Sequence, residues 1–167
     1  MKNFLLPLLA MLLAGCAGYK LGPVQPKFMN GAKTVAVPTF ENKTLTPHIE
    51  ALLSNAVIKQ IQMDGTYRIA PVDSADMIVQ GTVTEIERRS ARSLRENVLA
   101  TSEFNLIVHV TYTVTKRATG EQVDSREVLG QTSFFVGSDI NQDEQQALPL
   151  AIHDAATHLV SDISEGW

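Results

Sequence analysis

The clearest alternation in the chain runs from Glu103 to Thr115 and constrains the fold more than any other stretch. Phe104, Leu106, Val108, Val110, Tyr112 and Val114 take every second position, while Asn105, His109, Thr111, Thr113 and Thr115 lie between them. A two-residue period sends these sets to opposite faces of a strand, with Ile107 the one exception. Such a strand has one face on a core and the other wet or against a polar partner, and it is long enough to be the spine of a sheet.

The flanking segments supply the rest of that sheet. Lys116-Arg117-Ala118-Thr119-Gly120 makes a turn, with Gly120 available for a positive φ, and Gln122 to Val136 returns as an antiparallel strand. Upstream, Met77 to Arg88 reads as a strand whose alternation slips: Val79 and Val83 share a face, and Ile86 falls on the other. A bulge near Gly81 reconciles them. Tyr67 to Val72 is a shorter strand, followed by the turn Asp73-Ser74-Ala75-Asp76. Lys33 to Phe40 is the first strand, with Val35 and Val37 on one face and Pro38 marking an end or an edge position.

Two segments change period. Thr46-Pro47 has the form of a helix start, with Thr46 as N-cap, and Ile49, Leu52, Leu53, Ala56 and Ile61 then form one stripe with Val57 beside it. Asp64-Gly65 stops this helix. A last helix spans roughly Asn141 to Ser164, with Asn141 and Glu144 as a capping box. Its stripe is Leu148, Ile152, Ala155, Leu159 and Ile163, and Pro149 predicts a kink or a restart. The order β-α-β-β-β-β-α predicts an α+β two-layer sandwich, a mixed four- to five-stranded sheet with both helices on one face.

The N-terminus follows a different logic. Lys2 is basic, Phe4 to Leu13 is apolar apart from Pro7, and Leu13-Ala14-Gly15-Cys16 follows. This is the layout of a secretory signal, and its apolar core is about half the roughly twenty residues that span a bilayer. Cys16 resembles the invariant cysteine of the bacterial lipobox; acylation there, with cleavage before it, hangs the chain from a membrane. Several acyl chains anchor firmly where one does not, at about 0.8 kcal/mol per buried methylene. A cleaved signal with an incidental cysteine, or a plain anchor helix, are the alternatives. Residues 1–15 are thus the signal, 16–32 a lipidated tether with scattered Gly and Pro, and 33–167 a single domain.

Cys16 is the only cysteine, so packing and hydrogen bonds must hold the domain without disulfides. Loss of Lys2 moves the formal charge from -4 to about -5. Mild acidity argues against a general nucleic-acid or anionic-membrane binder.

Catalytic signatures are missing. His48, His109, His153 and His158 form no cluster, and His153 and His158 lie five apart, off a common helix face. The sequence contains neither a G-x-S-x-G elbow nor a phosphate-binding G-K-S/T loop. Asp73 and Asp76 could be posed as an acid pair, but short polar side chains beside Ser74 serve a turn better. No metal or cofactor is expected. Two basic sites remain, Arg88, Arg89, Arg92 and Arg95 in one polar loop and Lys116 with Arg117 in another. A meander puts them at opposite ends of the sheet. Either both are simply solvated, or one end meets phosphate groups through the forked donors of arginine.

Leu13-Ala14-Gly15-Cys16-Ala17-Gly18-Tyr19-Lys20-Leu21, then Lys33-Thr34-Val35-Ala36-Val37-Pro38-Thr39-Phe40-Glu41-Asn42, then Ala75-Asp76 leading into Val79-Gln80-Gly81-Thr82-Val83, resemble the LPS-assembly lipoproteins of the LptE family. The resemblance implies an outer-membrane lipoprotein on the periplasmic side. It further implies a plug inside a β-barrel (LptD-like) translocon subunit, which the lipoprotein helps to assemble, and binding of lipopolysaccharide. Ala17 after the cysteine, in place of aspartate, allows outer-membrane sorting. On charge alone the arginine cluster is the candidate lipopolysaccharide site. Val35 to Asn42 also resembles lipoproteins that activate peptidoglycan synthases and those of curli secretion, the alternative reading.

Overall fold

In the computed structural model, residues 25–92, 103–137 and 139–166 are described, the side chain of residue 92 excepted. The alternating stretch forms β5 (Glu103–Lys116), which lies between β4 (Met77–Arg92) and β6 (Gln122–Phe135) in an antiparallel meander. β1 (Thr34–Ala36) lies parallel to β4 on its other side, and β3 (Arg68–Ile69) parallel to β1. The strand order is β3-β1-β4-β5-β6, and a further short strand, β2 (Glu41–Asn42), also pairs parallel with β4. The expected first strand, Lys33 to Phe40, is therefore split: its start pairs with residues 77 and 78 of β4, and the chain rejoins β4 at Thr82 and Val83 only after Pro38. A proline lacks the N–H that an unbroken ladder needs there. This brings the mixed sheet to six strands.

Both helices, α1 (Ile49–Asp64) and α2 (Ile140–Glu165), pack on the face that carries Leu106, Val108, Val110, Tyr112 and Val114. The α+β two-layer sandwich expected from the element order is the one observed. All of those β5 side chains are buried, and Leu159, Ile163, Leu53, Val57 and Ile61 complete the core from the helices.

Several local expectations shift. The slip in β4 is a bulge at Thr84 rather than near Gly81: Val83 pairs with Val110 and Glu85 with His109, after which Ile86 regains the helix face opposite Val108. Gly81 has a different duty, because a Cβ there would sit 2.2 Å from the Phe40 ring, which fills its place on the sheet. In α1 the cap is His48 in the left-handed region, not Thr46, and Pro47 precedes the helix. Its buried face includes Ser54 while Leu52 is 47% exposed. Ser54 is tolerated inside because its Oγ accepts from the Phe40 amide at 2.8 Å and donates to the Glu50 carbonyl at 2.6 Å. Gly65 ends α1 as expected, its N–H bonding the Ile61 carbonyl.

α2 is one helix from end to end with Pro149 inside it, so there is no restart. Asp139, not an Asn141–Glu144 box, caps it by accepting from the Asn141 amide at 2.9 Å. Two buried tyrosines tie its end to the sheet side: Tyr67 donates to the Ile163 carbonyl at 2.9 Å and Tyr112 to Asp162 Oδ2 at 3.1 Å. Burial, helped by Asp64, pushes Tyr67 up to about 12. Burial and then Asp162 push Tyr112 further up, so both phenols remain donors.

Candidate functional site

The two basic regions lie at opposite ends of the meander, and the fold treats them differently. At the β5–β6 turn, Arg117 Nε donates to the Ala75 carbonyl at 2.8 Å, and Lys116 lies 3.5 Å from Glu121. Arg117 is thus a brace between this turn and the start of β4.

At the other end, the stretch read as a loop continues as strand, and β4 reaches Arg92. The alternation then divides the arginine cluster between faces. Arg88 pairs with Leu106 and shares the helix face, whereas Arg89 pairs with Asn105 on the open face. Arg88 Nη1 lies 2.5 Å from Glu144 Oε2 of α2, with its guanidinium 5.9 Å from the Phe104 ring centroid. Phe104 in turn stacks on Phe134 at 6.0 Å. Arg89 Nε lies 2.5 Å from Glu87 Oε1. That bond is the main reason the Glu87 carboxyl sits below, and the Arg89 guanidinium above, its ordinary value. Arg92 is opposite Glu103, and Arg95 and Cys16 lie outside the described residues.

The open face of the sheet carries exposed Gln80, Thr111, Ser125 and Glu127 toward its middle, and exposed Leu129 and Phe135 along β6. His109 sits at its centre. Its Nδ1 is 3.0 Å from Glu127 Oε1 on β6, and its buried Nε2 is 3.8 Å from Glu87 Oε2 on β4, beyond hydrogen-bond reach. This row links three strands. Among the described residues no group of His, Cys, Asp and Glu could hold a metal ion, and no helix is long and apolar enough to cross a membrane.

One feature escaped the sequence reading. Asn42 orders the loop after β2: its Nδ2 donates to the Thr46 carbonyl at 2.8 Å and to Glu50 Oε2 at 3.1 Å, and its Oδ1 accepts from the Thr44 amide and hydroxyl at 2.8 Å. The loop so fixed holds Leu45 fully in solvent, beside a groove lined by Pro47, Ile86 and Leu148. Asn42-Lys43-Thr44 was the available signal, since Asn side chains bond the backbone two residues on.

Solved structures of bacterial proteins share this architecture. A PelC dodecamer from Paraburkholderia phytofirmans is 19% identical, covering 84% of this chain and 92% of that one, with a TM-score of 0.53. A minor lipoprotein from Acinetobacter baumannii is 19% identical over 80% of this chain and 93% of its own, with a TM-score of 0.52. An uncharacterized lipoprotein B from Nitrosomonas europaea is 14% identical over 89% and 88%, with a TM-score of 0.53. At these identities the likeness is one of fold. No curated protein matches the chain. The family model for LptE, lipopolysaccharide assembly, matches residues 32–163, nearly the whole described domain, and the chain therefore belongs to the LptE family of lipopolysaccharide-assembly lipoproteins.

Proposed function

We propose that the mature protein is a non-catalytic outer-membrane lipoprotein, anchored through Cys16 on the periplasmic side. It seats as a plug in a β-barrel lipopolysaccharide translocon subunit, helps that barrel assemble, and binds lipopolysaccharide during delivery. The family match over residues 32–163 carries this reading. The hydrogen-bonding residues in the middle of the open face support it, because the lumen of a large barrel is itself polar and a plug must meet it with such side chains.

For lipopolysaccharide, Arg88, Arg89, Arg92 and Arg95 remain the candidates. Arg88 and Arg89 are 40% and 63% exposed and held by carboxylates. Such exposed pairs contribute about 0–1 kcal/mol, so a phosphate offering a forked contact can displace them at little cost. Lys116 and Arg117 are the weaker pair, since Arg117 braces Ala75.

Gentle detergent extraction tests the plug: the mature protein should co-purify with a barrel, and recovery solely as a free monomer would overturn the reading. The double reversal Arg88→Glu with Arg89→Glu should weaken lipopolysaccharide binding roughly tenfold or more, the scale of one or two lost charge-assisted contacts. Lys116→Glu should leave it nearly unchanged. Equal binding by both variants would remove the site assignment.

A further inference from the structure

The sheet closes some of its edges and leaves one open. On β6, α2 covers the edge with side chains: Asp154 Oδ2 accepts from the Gln131 amide at 2.9 Å, and His158 Nδ1 lies 2.7 Å from the Leu129 carbonyl. At the opposite margin β3 offers only Arg68–Ile69. β4 differs. Its outer side is paired by β1 at residues 77–78 and by β2 at 82–83, and the last outer bond runs from the Lys43 amide to the Val83 carbonyl. From Glu85 to Ser90, β4 pairs with β5 on one side, Ala91 falls at an irregularity, and no described strand pairs on the other side of this stretch.

Unpaired strand edges are templates for another extended backbone, and folded proteins usually blunt or cover them. Here the open edge runs beside a groove of about 220 Å³, with Leu45, Pro47, Ile86 and Leu148 on its apolar side and Thr46, Asn141, Glu144 and Gln145 on its polar side. That is below the roughly 300 Å³ at which small-molecule sites begin, and suits one or two apolar side chains. Along this stretch Arg89 pairs with Glu87 and Arg88 with Glu144. Its outward groups are main-chain amides and carbonyls beside a groove of mixed polarity, which fit an extended polypeptide backbone, while the arginine side chains project from the faces of the sheet rather than from its edge.

We infer that the outer edge of β4 from Glu85 to Ala91 is a strand-addition site. Its occupant is an extended segment of the barrel partner, hydrogen-bonded along the edge, with an apolar side chain seated against Leu45, Ile86 and Leu148. This is the known logic of β-augmentation, in which the backbone supplies affinity and side-chain pockets supply specificity. The inference rests on the plug reading for its partner, and names the surface by which that partner is gripped.

Photo-crosslinking residues placed at Leu45, at Glu85 and, as a reference on the open face, at Thr113 in the full-length lipoprotein test it in intact cells. Hydrogen exchange on the purified complex and on the free domain supplies the second measurement. Crosslinks to the barrel from positions 45 and 85 are expected, with amides between 85 and 91 exchanging at least about tenfold more slowly in the complex. Leu45→Asp, at a fully exposed position, should fold normally and reduce the barrel recovered several-fold. Crosslinking from position 113 alone, with no slowing at 85–91, would overturn the inference and leave the plug intact. Crosslinking from none of the three would overturn both, and crosslinks to a second copy of the lipoprotein would replace the proposed occupant.

Discussion

Asp76 Oδ2 accepts from the Lys33 amide at 2.9 Å, the Thr34 amide at 3.0 Å and the Thr34 hydroxyl at 2.9 Å, fastening the start of β1 to the start of β4. The Lys33 bond is the main reason its carboxyl sits below the ordinary value, with Thr34 adding to it. A carboxyl with a lowered folded-state pKa stabilises the fold above its unfolded value. That stability drains away as pH falls from about 4 through the lower folded value. Asp76→Asn should therefore lower the urea midpoint at neutral pH and flatten its decline below about pH 4. Parallel acid limbs for the two proteins would contradict this role. Sequence placed Asp76 correctly in a turn, as short polar residues beside Ser74 suggest. It could not show that the carboxylate serves a strand far upstream, because nothing local encodes that contact. The arginines teach the same lesson: their clustering was plain, but a bulge at Thr84 decides which faces they take.

At the scale of elements, α2 lies on β6 with its backbone almost touching the sheet. A Cβ on Gly130 would come 2.1 Å from the Ala151 carbonyl oxygen and 2.4 Å from the Ala155 amide nitrogen. Backbone cannot yield as a side-chain tip can, so Gly130→Ala must lift the helix, at a cost of about 1–3 kcal/mol or more. Gly81→Ala meets only the Phe40 ring, which can rotate or shift, and should cost less. Thermal denaturation of the two variants should rank them in that order, and the reverse ranking would refute the close approach of α2. Gly130 falls inside the returning strand expected over Gln122 to Val136, and its purpose was not legible there, since a missing side chain announces room without saying what fills it. Helix stripes were legible where they were purely aliphatic, as at Ile152, Leu159 and Ile163. They misled in α1, where a serine with two hydrogen bonds displaced a leucine from the buried face.

Across the whole molecule, the described chain begins at the end of the sheet that carries the β5–β6 turn. Pro26 lies against Gly166 beyond α2, Phe28 lies under the Arg126 guanidinium, and Asn30 to Ala32 line a groove with Ala75 to Met77 and Lys116 to Ala118. On the proposed lipoprotein reading, residues 16–24 separate the anchor from the described chain by a contour of at most roughly 30 Å. β5, of 14 residues, extends about 45 Å away from this turn toward Arg88 and Phe104. The described chain thus starts at the end of the domain away from Arg88 and Phe104, and the open edge of β4 belongs to the arginine end. The lipidated protein in vesicles should show a fluorophore at Ala118 strongly quenched by headgroup-labelled lipid, and one at Ser90 quenched far less. Lengthening the tether by a Gly-Ser insert of about ten residues should weaken quenching at Ala118 as the reachable volume grows. Stronger quenching at Ser90 than at Ala118 would mean that the domain folds back over its own anchor. The arginines would then be set against the membrane rather than facing a ligand that arrives from the periplasm.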